Sequence, residues 1–353
     1  MISGSCDNTL KLWNLETGEN ERTFNGHSYL VNAVAMTPDG KQVISGSGDS
    51  TLKLWNLEIG ENERTFQGHN DWVTAVALTP DGKKVISASD DKTLKLWNLQ
   101  TRKDELTFQG HNGCITAVAL TPDGQQVISA SLDSTLRLWN LQTGENKYTF
   151  HGHSSEVYAV AFTLNGKQVI SASHDKTLKL WNLETGEDER TFHGHSGSVN
   201  AVALTPDGKQ VISGSDDKTL KLWNLETGED ERTFHGHSNV VHAVALTPDG
   251  KQVISGSRDN TLKLWNLETE EDERTFYVHS NIVYAVALTP DGQQVISGSN
   301  DNTLKLWNLQ TGEEIATFTG EAPFLCCAVA ADGVTIVAGE SSGRVHFLRL
   351  ENV

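Results

Sequence analysis

A histidine, a serine and an aspartate recur together along the whole chain. The first set is His27, with Ser45 or Ser47 and Asp49. The second is His69, with Ser87 or Ser89 and Asp91, and the pattern runs on to His279, Ser297 or Ser299 and Asp301. These are the residue types of a hydrolase triad: a hydroxyl nucleophile, an imidazole base and a carboxylate that orients the imidazole. Catalysis needs one cleft in which such groups converge on one reacting atom, whereas this sequence repeats the set in equivalent local contexts. No catalytic residue is therefore expected, and the chain reads as not an enzyme. An enzyme carried on this scaffold would need a lone residue that breaks the repeat, and none is found.

Metal and cofactor chemistry fare no better. His151-x-His153, His193-x-His195 and His235-x-His237 place two imidazoles on one strand face. The second histidine of each pair already belongs to a repeated set, and no acid or cysteine cluster completes a coordination shell. No Gly-rich phosphate loop occurs, since Asp39-Gly40-Lys41 reads as a turn. Neither a metal nor a cofactor is expected. Cys6, Cys114, Cys326 and Cys327 show no CxxC spacing or disulfide framework, and the adjacent pair reads as two core thiols.

The elements that carry these residues are set by a second regularity. Trp13, Trp55, Trp97, Trp139, Trp181, Trp223, Trp265 and Trp307 are each 42 residues apart, nearly all in the phrase Leu-Lys-Leu-Trp-Asn-Leu. A fixed period of this size means one supersecondary unit, copied and stacked on its neighbours. In residues 27–68, Val31, Ala33, Val34 and Ala35 form a first strand that stops at Thr37-Pro38-Asp39-Gly40, a type I turn. Val43 to Ser47 make a second strand and Thr51 to Leu57 a third. A turn at Gly60-Glu61 precedes a short fourth strand around Arg64-Thr65-Phe66. No segment has helical spacing. Four short antiparallel strands in this length describe a propeller blade. Charges such as Glu61, Glu63 and Arg64, or Glu187 to Arg190, mark the outermost strand, where they oppose edge-to-edge pairing.

These residues resemble the WD-repeat (WD40) family. The marks are Gly-His before the first strand, from Gly26-His27 to Gly236-His237, Ser-x-Asp-x-Thr before the third strand, and Trp followed by a polar residue. The family's Trp-Asp is Trp-Asn throughout. Val278-His279 loses the Gly of one copy, and Leu164-Asn165 replaces Pro-Asp in another. The resemblance implies an all-β propeller and a hydrogen-bonded tetrad in which Asp orients His, His bonds Ser and Ser meets the indole N–H. The near-identity of the copies is similar to bacterial arrays that follow a nucleotide-binding switch domain, which would lie outside this chain.

Residues 1–353 are expected to form a single propeller, with whole repeats over 27–320, a partial blade over 1–26 and a degenerate partial blade over 321–353, where Leu348 stands for Trp. Eight blades are expected if residues 19–24 complete residues 321–350 and leave residues 1–15 surplus. Seven and nine are the alternatives. The start within a blade suggests a fragment of a longer array. A formal net charge of −18 argues against nucleic acid or an anionic membrane as partner. No signal peptide or apolar spanning run is present, so a cytoplasmic location is expected.

Comparison of the copies shows where function should sit. Three residues after His the chain reads Leu30, Trp72, Cys114, Glu156, Ser198, Val240 and Ile282. Five after His it reads Asn32, Thr74, Thr116, Tyr158, Asn200, His242 and Tyr284. Before the turn Asp it reads Gly48, Asp90, Leu132, His174, Asp216, Arg258 and Asn300. The first two columns, separated by two, are expected on one strand face, and the third at the same end of the blade. The resemblance implies that all three ring the mouth of the propeller's top face, where partners dock. A protein or peptide is therefore the expected partner, held by Leu30, Asn32, Trp72, Thr74, Asp90, Glu156, Tyr158, His174, Val240, His242, Arg258, Ile282 and Tyr284. Trp, Tyr and Arg are the usual anchors, and Glu156, Asp90 and Asp216 favour a basic or aromatic anchor on the partner. A structural spacer, with an end that binds nothing, is the competing reading.

Overall fold

The computed structural model describes residues 2–4, 9–13, 20–25, 27–39, 41–56, 61–101, 103–163, 165–269, 271–320, 322–329, 335–341 and 345–349. Cys6, Gly26, Gly40, Leu57, Gly60 and Leu164, named above, lie outside them. Regular structure among the described residues is β-strand. Two compact units are formed, one by residues 1–107 with 284–353, the other by residues 108–283.

Seven sheets each contain four antiparallel strands in chain order. In one of them the strands are Val199–Leu204, Gln210–Ser215, Thr219–Asn224 and Asp230–His235. The count of four-stranded blades is therefore seven, not the expected eight. The chain ends do not combine as expected either. Phe324–Val329, Thr335–Glu340 and Val345–Arg349 join Ile2–Gly4, Thr9–Trp13 and Asn20–Asn25 in one six-stranded sheet. Ile2 pairs with Phe347, so Ile2–Gly4 docks on Val345–Arg349, and Ile2–Gly4 and Thr9–Trp13, within the stretch expected to be surplus, are part of the sheet. The expected arrangement would have torn Asn20–Asn25 from its hairpin partner Thr9–Trp13. The observed sheet keeps that short hairpin, the pairing of lowest loop-closure cost, and joins the chain ends through Ile2 and Phe347 instead. Leu348 does hold the register place of Trp, opposite Ile336, as Trp223 lies opposite Val211.

Apolar surface is buried between blades. In the second unit Ile212, Leu220, Leu222 and Phe234 of one blade pack with Val241, Val253, Trp265 and Leu267 of the next. In the first, Ile44, Leu52, Leu54 and Phe66 meet Val73, Val85, Trp97 and Leu99. Each fully buried side chain of this kind contributes about 1.5–3 kcal/mol relative to exposure, and only when both neighbours are folded. The second strand is the most deeply buried of each four, while the fourth is exposed along its first residues. Lys179, Lys221 and Lys263 lie over Trp181, Trp223 and Trp265 at 5.6–5.7 Å and bond Asp188, Asp230 and Asp272 of the fourth strand. The outer charges are thus partly paired within their own blade.

Two sequence departures are accommodated locally. The amide after each tryptophan does work a carboxylate could not. Asn224 Oδ1 accepts the N–H groups of Glu226 and Thr227 at 2.9 and 3.0 Å, and its Nδ2 donates to Glu231 at 2.7 Å. Where Asn165 replaces the turn aspartate, its Oδ1 accepts from Thr163 Oγ1 at 2.8 Å and from Lys167 N at 2.9 Å. Asp207 makes the same two contacts with Thr205 and Lys209 in a regular copy.

Candidate functional site

The repeated His, Ser and Asp residues are consumed by the framework. In six copies His Nδ1 lies 2.7–2.9 Å from Asp Oδ2, His Nε2 lies 2.7–2.8 Å from Ser Oγ, and the Trp indole N–H donates to that Oγ at 2.8–2.9 Å. The serines are fully buried. Burial lowers the pKa of His27, against the pull of Asp49, so the neutral imidazole donates from Nδ1 and accepts at Nε2. Burial pushes the Asp217 carboxyl upward. Bonds from His195 and Thr219, the His195 charge and the Ser196 N–H outweigh it and hold the group well below the usual carboxylate range. A serine Oγ with both neighbours fixed has no access to substrate. His153, His195 and His237, the second members of the His-x-His pairs, are tied up in this way, while His151, His193 and His235 are exposed. No cluster of metal-ligating residues occurs among the described residues, nor any helix long and apolar enough to cross a membrane.

The glycine before each histidine follows from the same packing. A Cβ on Gly194 would come 3.1 Å from the Trp223 ring, and one on Gly236 would come 2.9 Å from Trp265. Val278, in the copy that lacks this glycine, is buried.

The variable columns meet through the backbone. The third-column N–H donates to the first-column carbonyl in six copies: Gly48 to Leu30, Asp90 to Trp72, Leu132 to Cys114, His174 to Glu156, Asp216 to Ser198 and Arg258 to Val240, at 2.6–2.9 Å. The first two columns do not both lie within the regular strand pairing. Leu30, Trp72, Glu156 and Val240 sit just before the first strand, and Asn32, Thr74, Tyr158 and His242 sit at a register shift between first and second strands. A bulge of this kind adds an unpaired residue and re-aims its side chain, so spacing by two does not decide the face.

In the second unit the bulge lets side chains reach the next blade. Tyr158 Oη lies 3.5 Å from His174 Nδ1, and Ser198 Oγ of the following blade lies 2.7 Å from the same nitrogen. Asn200 Nδ2 donates to Asp216 at 2.8 Å and to the Val241 carbonyl at 3.1 Å. Burial, then the charges of Glu156 and Asp216, raise the Tyr158 pKa. A bond from Ser155, and further down the His174 charge, lower that of Glu156. Burial lowers His242; Asp216 pulls it back and Arg258 adds to the depression. Glu156, Tyr158, His174, Asp216, His242 and Arg258 therefore form one electrostatically linked group, with Val240 beside it, and Ile282, at the end of this unit, is half-buried.

In the first unit Trp72 is 39% exposed and stacks with Tyr29, 49% exposed, at 5.5 Å between ring centres and 47° between planes. Asn32 is used by the framework, donating to the Val73 carbonyl of the next blade at 2.8 Å. Leu30, Thr74, Asp90 and Tyr284 are half-buried.

Tyr29 was not among the residues expected from sequence. Its column, two after His, reads Tyr29, Asp71, Gly113, Ser155, Gly197, Asn239 and Asn281, and the one large side chain in a column of small ones was the available signal. Arg190 of an outer strand is not idle surface: its guanidinium donates to the Glu226 and Thr227 carbonyls of the next blade at 2.7 and 2.6 Å.

Comparison with known proteins agrees with this architecture. The WD domain, G-beta repeat, matches residues 18–56, 60–98, 102–140 and 144–182, and the IFT122 first beta-propeller matches residues 199–352. The chain belongs to the WD-repeat family of β-propellers, which are generally non-catalytic scaffolds that bind proteins or peptides. Among solved structures, the computationally designed Ika8 protein is similar, with a TM-score of 0.83 and 29% identity over 93% of this chain and 98% of that one. No curated protein matches the chain.

Proposed function

We propose that this chain is a non-catalytic recognition platform that binds a protein or peptide at the blade end bearing the variable columns. One observation carries the reading: the positions at which the copies differ are the positions that touch one another. Glu156, Tyr158, His174, Ser198, Asn200 and Asp216 do so in one unit, and Tyr29 and Trp72 in the other. Neutral drift would not assemble aromatic and charged groups into linked clusters while leaving the framework unchanged. Among the described residues Cys114, Cys326 and Cys327 form no disulfide, which is compatible with a reducing cytoplasm. The near-identity of the copies supports a place as the sensor end of a larger signalling protein, whose nucleotide-binding switch domain lies outside this chain.

The test is selection of random dodecapeptides on the full chain. Trp72→Ala or Tyr158→Ala should weaken the selected peptides about tenfold or more, the usual loss at a central aromatic anchor. Lys209→Ala, in the turn between first and second strands, should leave binding unchanged. Peptides sensitive to Lys209 and to neither aromatic residue would refute the reading.

A further inference from the structure

The aromatic pair of the first unit has an unusual floor. Gly48 occupies the third variable column, where other copies carry Asp90, Leu132, His174, Asp216, Arg258 and Asn300. A Cβ at Gly48 would come 2.7 Å from Tyr29 Cδ1 and 3.5 Å from Trp72 Cδ2. The two rings therefore lie over a position that must stay bare. Their exposure is costly for apolar surface, and a contiguous exposed aromatic pair marks a contact site.

The surroundings select the guest. Asp71 and Asp90 flank Trp72: Asp71 Oδ1 accepts the Trp72 N–H at 2.8 Å, and the Asp90 N–H donates to the Trp72 carbonyl at 2.9 Å. Tyr29, Leu30, Asn32, Gly48, Asp71, Trp72, Thr74 and Asp90, the variable positions of these two blades, include two carboxylates and no cation. A site for a purely apolar side chain gains nothing from two flanking carboxylates. A planar guanidinium gains from both features, since it stacks on aromatic faces and pairs with carboxylates. The chain's net charge of −18 draws a basic partner from a distance.

We propose that Tyr29 and Trp72, with Asp71 and Asp90 beside them, bind an arginine side chain of the partner peptide. This rests on the recognition reading above and specifies its chemistry. The test resynthesises peptides selected on the full chain with each arginine replaced by citrulline, which keeps the planar shape and removes the charge. The expected result is that selected peptides carry arginine and that one citrulline replacement weakens binding about tenfold, in the range of a desolvated cation–π contact. Tyr29→Ala, Trp72→Ala and Gly48→Ala should each weaken the arginine peptide and abolish its advantage over citrulline. Equal binding of the two peptides to the parent chain overturns the proposal without reliance on any variant. Selected peptides without arginine that depend on Tyr158 overturn it too, while leaving the recognition reading intact. A selection that yields no peptide overturns both.

Discussion

Ser213→Ala is the sharpest perturbation of the framework. Ser213 Oγ accepts the Trp223 indole N–H at 2.8 Å and lies 2.8 Å from His195 Nε2, with no solvent exposure. Alanine strands two buried polar groups, the indole N–H and the imidazole nitrogen, and leaves a gap too small for a water. Each stranded group costs about 1–3 kcal/mol, so the loss should be about 2–6 kcal/mol. That is a large share of the about 5–15 kcal/mol that holds an ordinary domain folded. Repeat arrays open locally, so urea unfolding should be read together with amide hydrogen exchange in Gln210–Ser215 and Thr219–Asn224, where protection should fall most. Trp223→Phe removes the stranded N–H in advance, so in its background Ser213→Ala should cost about 1 kcal/mol less or better. Binding of peptides that depend on Trp72 should not change. If Ser213→Ala stays within about 0.5 kcal/mol of the parent, the scale of an ordinary surface substitution, the tetrads do not carry the stability assigned to them.

Further outcomes follow from the same geometry. Asp49, Asp91, Asp133, Asp175, Asp217 and Asp259 all titrate well below the usual carboxylate range. Their contribution is therefore fully present above about pH 4 and is lost as pH falls below it. Depressed His27 acts in the same sense, because the unfolded chain takes up its proton first. Urea midpoints should drop steeply below about pH 4, and Asp217→Asn should show a shallower drop with a lower starting value; a midpoint flat from neutral to acid pH would contradict this. Asn224→Asp removes the donor to Glu231 and sets two carboxylates together, so it should cost about 0.5–1 kcal/mol, with the loss relieved by Glu231→Gln in thermal melts. Lys218 holds a left-handed φ of 73°, so Lys218→Gly should stabilise by about 0.5–1 kcal/mol, and a lower melting temperature would refute the strain.

Much of this was legible in the sequence because a 42-residue copy reports its own boundaries. Strand order, turns and the tetrad residues all depend on contacts within one copy. The meeting of first and third columns was legible for the same reason, since both flank one hairpin. What escaped depends on contacts between elements. The register shift at Asn32, Tyr158 and His242 is set by how the second strand pairs, not by local spacing. The Tyr29–Trp72 stack joins residues of two blades over a glycine of the first. The Arg190 bridge reaches the next blade's turn. The six-stranded sheet of the chain ends needed the pairing of Ile2 with Phe347, which no internal repeat encodes.

The central claim is that partners bind where the copies differ. Amide hydrogen exchange of the full chain, with and without a selected peptide, tests it most directly. The account predicts protection confined to residues 29–32, 48, 72–74 and 90 in the first unit, or 156–158, 174, 198–200, 216, 240–242 and 258 in the second. Protection confined to the turns at 206–209 and 248–251, or to fourth strands such as Asp230–His235, would contradict it.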